Sequence, residues 1–202
     1  MQIDFVLDYR SPYAYLANTQ IGAFGADIHY QPVDILWVMK QVNNQPSPMC
    51  PAKSKYAGID AARWSLQYGV PFAPNGALLD AMRQGRFKGE LMSRAAIAAQ
   101  QIGAFPQVNN ALFAALWARP DDLASAEGRT QFAADHNLPP ELWDLAETAE
   151  VEARLAVNNE SAVARGVFGV PTFFLGDEMF FGNDRLSLIG DRLPPPDMEM
   201  MR

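Results

Sequence analysis

The stretch whose reading decides the fold is Ile3-Asp4-Phe5-Val6-Leu7 followed by Asp8-Tyr9-Arg10-Ser11-Pro12-Tyr13-Ala14-Tyr15-Leu16. The apolar run reads as a short strand, the polar residues as a tight turn, and the remainder as a helix. Ser11 is a favoured N-cap residue. Pro12 suits the first helical position, because the N–H it lacks would go unpaired there anyway. A serine hydroxyl and a row of unpaired N–H groups then lie at the positive end of a helix, where an anion is readily held.

Working outward, residues 2–7 form a first strand and 11–24 a helix, with Tyr13, Leu16, Ala17, Ile21 and Phe24 at i, i+3, i+4 spacing. A second strand over 28–33 completes a βαβ opening, which favours a parallel pair and a right-handed crossover. Near the other end, Val170 to Leu175, a Gly176-Asp177 turn and Glu178 to Phe181 make a hairpin. Gly182-Asn183-Asp184 then opens a last helix running to about Arg192, and the tail from Pro194 is expected to fray.

Between these ends, 35–42 reads as helical and 43–52, with Pro46, Pro48 and Pro51, as a proline-rich loop. Helices are predicted near 53–68, 77–84, 89–102, 107–118, 125–136 and 140–164, helped by alanine-rich runs such as Ala95 to Ala99. A βαβ half and a ββα half close into one small sheet only if the all-α block is an insertion. The predicted fold class is therefore α/β, a thioredoxin-like fold with a large all-α insertion. Residues 1–40 and 166–202 would form the discontinuous thioredoxin-like domain, and 41–165 the inserted helical domain.

Composition narrows the function. The 202 residues are 49% hydrophobic, enough for a substantial core, and carry a formal net charge of −7. No basic cluster with interleaved aromatics is present, which argues against nucleic acid. No run approaches the roughly 18 apolar residues of a membrane span, and the N-terminus reads as strand rather than signal peptide. The single cysteine, Cys50, rules out an internal disulfide framework and fits a reducing cytoplasm. His29 and His136 are too few and too far apart for a metal site, so no metal is expected.

Three constellations carry chemistry. Where disulfide oxidoreductases of thioredoxin type have Cys-x-x-Cys, this chain has Ser11-Pro12-Tyr13-Ala14, and a site shaped for a thiolate yet lacking one suggests that the sulfur arrives with a cofactor. Gly169-Val170-Pro171-Thr172 matches the cis-proline position of such folds. A cis bond there would turn the Val170 N–H and C=O outward, to pair with an extended thiol peptide. Gly182-Asn183-Asp184 offers amides for a carboxylate, with Asp184 for an amino group. Each has a plainer reading: Ser11 and the 182–184 turn as helix caps, Pro171 as an ordinary trans proline at a strand start. Lys53, a surface residue in the plain reading, would supply local positive charge for an anionic ligand, with Asn44 close by in the sequence.

These residues resemble the 2-hydroxychromene-2-carboxylate isomerases and the related kappa-class glutathione transferases over nearly the whole chain. The most specific segments are Asp8 to Asn18 and Phe168 to Leu186, with Asp60-Ala61-Ala62-Arg63-Trp64 and Tyr68-Gly69-Val70-Pro71 also similar. The resemblance implies glutathione as cofactor, a homodimer, and a small aromatic or unsaturated acid as substrate. By it, Ser11 is the catalytic serine contacting the glutathione sulfur, and Val170 beside Pro171 pairs its backbone with the cofactor. Asn183 and Asp184, after Gly182, meet the γ-glutamyl end. Asn44 and Lys53 match an Asn and a Lys of the transferase loop. In that family the segment around 39–53 also faces the second substrate, and here it offers Met39, Lys40, Met49 and Cys50.

The implied activity is a glutathione-dependent isomerisation of 2-hydroxychromene-2-carboxylate type. The thiolate adds to an unsaturated acid, a bond rotates, and glutathione leaves unconsumed. A kappa-class-like transferase or peroxidase is the alternative, and would consume it. A free thiol of pKa about 8.5 is only about 3% ionised at pH 7. Full ionisation over a helix N-terminus therefore gains at most about thirty-fold, or about 2 kcal/mol.

Overall fold

Strand β1, Gln2–Leu7, alternates strictly: Ile3, Phe5 and Leu7 enter one core while Val6 enters another on the opposite face. That period of two, with apolar residues on both faces, is what a strand covered on both sides requires. In the computed structural model, which describes residues 1–193, β1 pairs in parallel with β2, Asp27–Pro32, from Gln2↔Asp27 to Leu7↔Pro32. Helix α1, Pro12–Ile21, provides the crossover, and a 3-10 turn at Gly22–Phe24 ends it where one longer helix was predicted. Gly25, at φ +62°, reverses the chain there in a conformation other residues adopt at a cost.

Strand β3, Thr172–Leu175, runs antiparallel to β1 on its other side, and β4, Glu178–Phe181, antiparallel to β3. The four-stranded order is β2-β1-β3-β4, the thioredoxin-like sheet predicted above. Gly176, at φ +61°, and Asp177 make the two-residue hairpin loop. A 3-10 turn at Asn183–Arg185 and helix α10, Leu186–Gly190, follow in place of one continuous helix. The tail expected to fray lies outside the described residues.

Between β2 and β3 the described chain is helical: α2 Ile35–Gln41, α3 Pro51–Tyr68, α4 Gly76–Arg83, α5 Glu90–Gln101, α6 Phe105–Trp117, α7 Ala126–Asp135, α8 Leu142–Ala146 and α9 Ala149–Ala164. Two departures from the sequence reading have a local cause. The predicted helix over 140–164 is two, because Thr148 caps a fresh start with its hydroxyl accepting from the Val151 N–H at 3.4 Å. Pro51, assigned to the loop, is instead the first residue of α3, with Cys50 in the capping position.

The larger core joins one sheet face to the helical block through Phe5, Phe173, Phe113 and Met92. The smaller covers the other face, where Val33, Ile35, Val38 and Ala162 pack on Val6 and Phe174. No described helix is long and apolar enough to cross a membrane.

Candidate active site

The C-terminal end of β1 delivers the turn that carries Ser11. The Ser11 N–H donates to the Asp8 carbonyl at 3.1 Å and closes the turn. Its side chain caps α1, accepting from the Ala14 N–H at 3.1 Å. Two contacts from α6 lock the residue between: Trp117 Nε1 donates to the Tyr9 carbonyl at 2.8 Å, and the buried Tyr9 hydroxyl donates to Asn109 Oδ1 at 2.8 Å. Ala14, at the position of a resolving cysteine, is fully buried.

Beneath this turn lies a charged cluster to which sequence reasoning assigned no role. Asp8 has no exposed surface, and Arg10 is 15% exposed at its side chain. Arg10 Nε donates to Asp8 Oδ1 at 2.9 Å, and its Nη2 reaches both Asp8 and Asp34. Asp8 also accepts from the Ile35 N–H at 2.9 Å, while Asp34 caps α2 by accepting from Leu36 and Trp37. Burial favours the neutral guanidine, but the two carboxylates outweigh it and hold Arg10 more firmly protonated than usual. One carboxylate is in formal excess, so Arg10 has no charge to offer an anion. The one signal in the sequence was a charged residue directly after an apolar strand.

The second constellation meets the first. The Val170–Pro171 bond is cis, and the Val170 carbonyl accepts from Ser11 Oγ at 3.1 Å. Among the described residues, neither the Val170 N–H nor the Tyr13 N–H finds a partner. A thiol peptide lying along Val170 would therefore find one free donor beside it and another at the first turn of α1.

Asn44 reaches the same loop from α2. Asn43 takes a left-handed conformation at φ +55°, its N–H bonding the Lys40 carbonyl and the Asn44 N–H the Met39 carbonyl, the pattern of a Schellman helix end. That exit directs Asn44 Nδ2 onto the Phe168 carbonyl at 2.7 Å. Gly169 is also accounted for: a Cβ there would come within 2.7 Å of the Phe181 ring, which packs on Phe168 at 4.6 Å between centroids.

The third constellation follows at once, because the Gly182 N–H donates to the Pro171 carbonyl at 2.9 Å. Asn183 is buried at 3% exposure, while Asp184 is exposed and paired with Arg185. Asp184 is near enough to Tyr13 and Tyr68 for its charge to act on both phenols. Lys53 is different: it is exposed in the first turn of α3 and bonds to none of the other site residues. Cys50, half-buried, makes no capping bond.

Sequence reasoning missed the tyrosines of this region. The Tyr13 hydroxyl donates to Asp60 Oδ2 at 3.0 Å, and the Tyr68 hydroxyl donates to the Asn183 carbonyl at 3.3 Å. Burial comes first among the causes that raise both phenols above the usual tyrosine value, with the charge of Asp60 adding for Tyr13 and that of Asp184 for both. Both stay protonated donors at neutral pH.

The DSBA-like thioredoxin domain family matches residues 2–194. A 2-hydroxychromene-2-carboxylate isomerase from Pseudomonas putida is 31% identical, the match covering 94% of this chain and 92% of that protein. Glutathione S-transferase kappa 1 from Caenorhabditis elegans is 24% identical, over 96% and 92% respectively. The solved structure of a 2-hydroxychromene-2-carboxylate isomerase superposes with a TM-score of 0.78 at 25% identity, covering 95% of this chain and 93% of that one.

Proposed function

The chain belongs to the DsbA-like thioredoxin domain family, in the company of the 2-hydroxychromene-2-carboxylate isomerases, and from that premise we propose that it is a glutathione-dependent isomerase of an unsaturated aromatic acid. The observation that carries the proposal is the Ser11–Val170 contact at a helix start from which both sulfurs of a redox pair are missing. Glutathione fits the donors around it. The free Val170 N–H suits its peptide backbone, the first turn of α1 its sulfur, and the Gly182-Asn183-Asp184 turn beside Pro171 its γ-glutamyl end.

When bound, glutathione would supply a thiolate nucleophile able to add reversibly to an unsaturated acid, the chemistry a double-bond isomerisation needs. The chain's own part is to bind, orient and hold charge. Ser11 would offer its hydroxyl to the sulfur, and the roughly half-unit positive charge of a helix N-terminus would favour the ionised form. Lys53 adds long-range positive charge in a protein whose net charge of −7 repels anions. Asn44 steadies the loop that presents Val170 by holding the Phe168 carbonyl. In this reading the discontinuous unit 1–40 and 166–202 carries the thiol site. The segment around 39–53, with Met39 and Lys40 ahead of the inserted unit 41–165 and Met49 and Cys50 within it, would face the second substrate. The working form would be a homodimer in a reducing, cytoplasmic setting that suits a lone cysteine.

The likeness to a kappa glutathione transferase favours a second reading, in which glutathione is consumed as a conjugate or disulfide. Mass balance separates the two. Turnover of 2-hydroxychromene-2-carboxylate with added glutathione recovered intact supports the isomerase. Stoichiometric loss of glutathione supports the transferase, and turnover undiminished without it contradicts both.

A further inference from the structure

Helix α3 is tied to two parts of the candidate site. Near its middle, Asp60 accepts from Tyr13 on α1. At its last residue, the Tyr68 hydroxyl donates to the Asn183 carbonyl and accepts from Asn183 Nδ2, both at 3.3 Å. A phenol has one proton to give and lone pairs to receive, so both bonds are made together. The Asn183 amide, in a residue only 3% exposed, is thereby turned inward, and its carbonyl is occupied as well.

The turn around it is held at three points. Gly182 starts it at φ +106°, bonded to the Pro171 carbonyl, where a Cβ would come within 2.5 Å of Asp184 Oδ1. Asp184 pairs with its neighbour Arg185. The middle point alone comes from outside the β3–β4 half, from Tyr68.

We propose that Tyr68 is a positioning residue for the thiol-peptide site, fixing the Gly182–Asp184 turn through Asn183 without touching the ligand. The proposal rests on the glutathione reading above and assigns the Asn183 side chain to anchoring, leaving recognition to the backbone and Asp184. The helical block then helps set how tightly the γ-glutamyl end is held.

Tyr68→Phe is the direct test, since the ring keeps its packing 5.2 Å from Trp64 and only the hydroxyl is lost. Tyr56→Phe, which removes the exposed partner of Asp60 on the same helix, is the comparison. In the full chain, Tyr68→Phe should raise the glutathione Kd about five-fold or more by calorimetry. It should leave kcat at saturating glutathione unchanged and speed amide hydrogen exchange at Gly182 and Arg185. Tyr56→Phe should change none of these. A Kd within about two-fold of the parent, or equal weakening by both variants, would overturn the assignment. So would unchanged exchange at the turn. A parent that takes up no glutathione would instead overturn the underlying functional reading, with the exchange arm still deciding whether Tyr68 anchors the turn.

Discussion

The Ser11 hydroxyl donates to the Val170 carbonyl 3.1 Å away, across 159 positions of sequence, while accepting from the Ala14 N–H. A hydroxyl has one proton. To donate to a thiolate, Ser11 must release Val170, so ligand binding exchanges a neutral hydrogen bond for a charge-assisted one, which is roughly twice as strong.

Ser11→Ala removes that exchange. Losing a hydrogen bond to a charged group costs about 1.5–3 kcal/mol, so kcat should fall about 10- to 150-fold. Losing the cap should cost about 0.5–2 kcal/mol of stability as well. Ser11→Asp separates the two effects: it still caps α1, but its charge opposes a thiolate. Chemical denaturation should therefore find it near the parent in stability, while calorimetry finds glutathione affinity lost.

Asn44→Ala leaves the Phe168 carbonyl without its donor and loosens the loop ahead of Val170. Steady-state kinetics should show the KM for glutathione raised a few-fold, roughly the worth of one neutral hydrogen bond, with little change in kcat. A change in kcat alone would place Asn44 elsewhere in the mechanism.

Arg10→Met strands the fully buried Asp8 beside Asp34 with no cation between them. Removing one partner of such a group costs about 3–5 kcal/mol, and urea unfolding should show it. Gly89→Ala should destabilise by about 1–3 kcal/mol, because its Cβ would come within 2.5 Å of Arg10 Cδ in a packed junction. In the Arg10→Met background much of that second cost should vanish, since the shorter, uncharged chain can move aside.

Alkaline pH probes the tyrosines. Tyr13 and Tyr68 hold their protons more tightly folded than unfolded. The stability this adds is complete below about pH 10, the ordinary tyrosine value, and is lost as pH rises through the higher folded values. Tyrosinate absorbance should show phenols titrating late in the native protein. Tyr13→Phe and Tyr68→Phe should each remove one late step.

Much of this was legible in the sequence because it is local. Strand alternation in Ile3 to Leu7, the Ser11-Pro12 helix start and the Gly176-Asp177 hairpin each announce themselves within a few residues. The joining of Ser11 to Val170 followed from chain topology. What escaped depends on tertiary packing: Tyr68 meets Asn183 across 115 positions and Tyr13 meets Asp60 across 47, with no periodic signal in either. The split of 140–164 into α8 and α9 also escaped, because Thr148 is tolerated inside a helix as well as at its cap.

The most direct test of the central claim is the ionisation of glutathione on the protein, read as thiolate absorbance against pH in the complex with the full chain and with Ser11→Ala. A sulfur held at the first turn of α1 should titrate well below the ordinary thiol value of about 8.5, with much of that depression gone in Ser11→Ala. A complex in which the thiol titrates as it does free in solution, or a chain that forms no complex at all, would contradict the account.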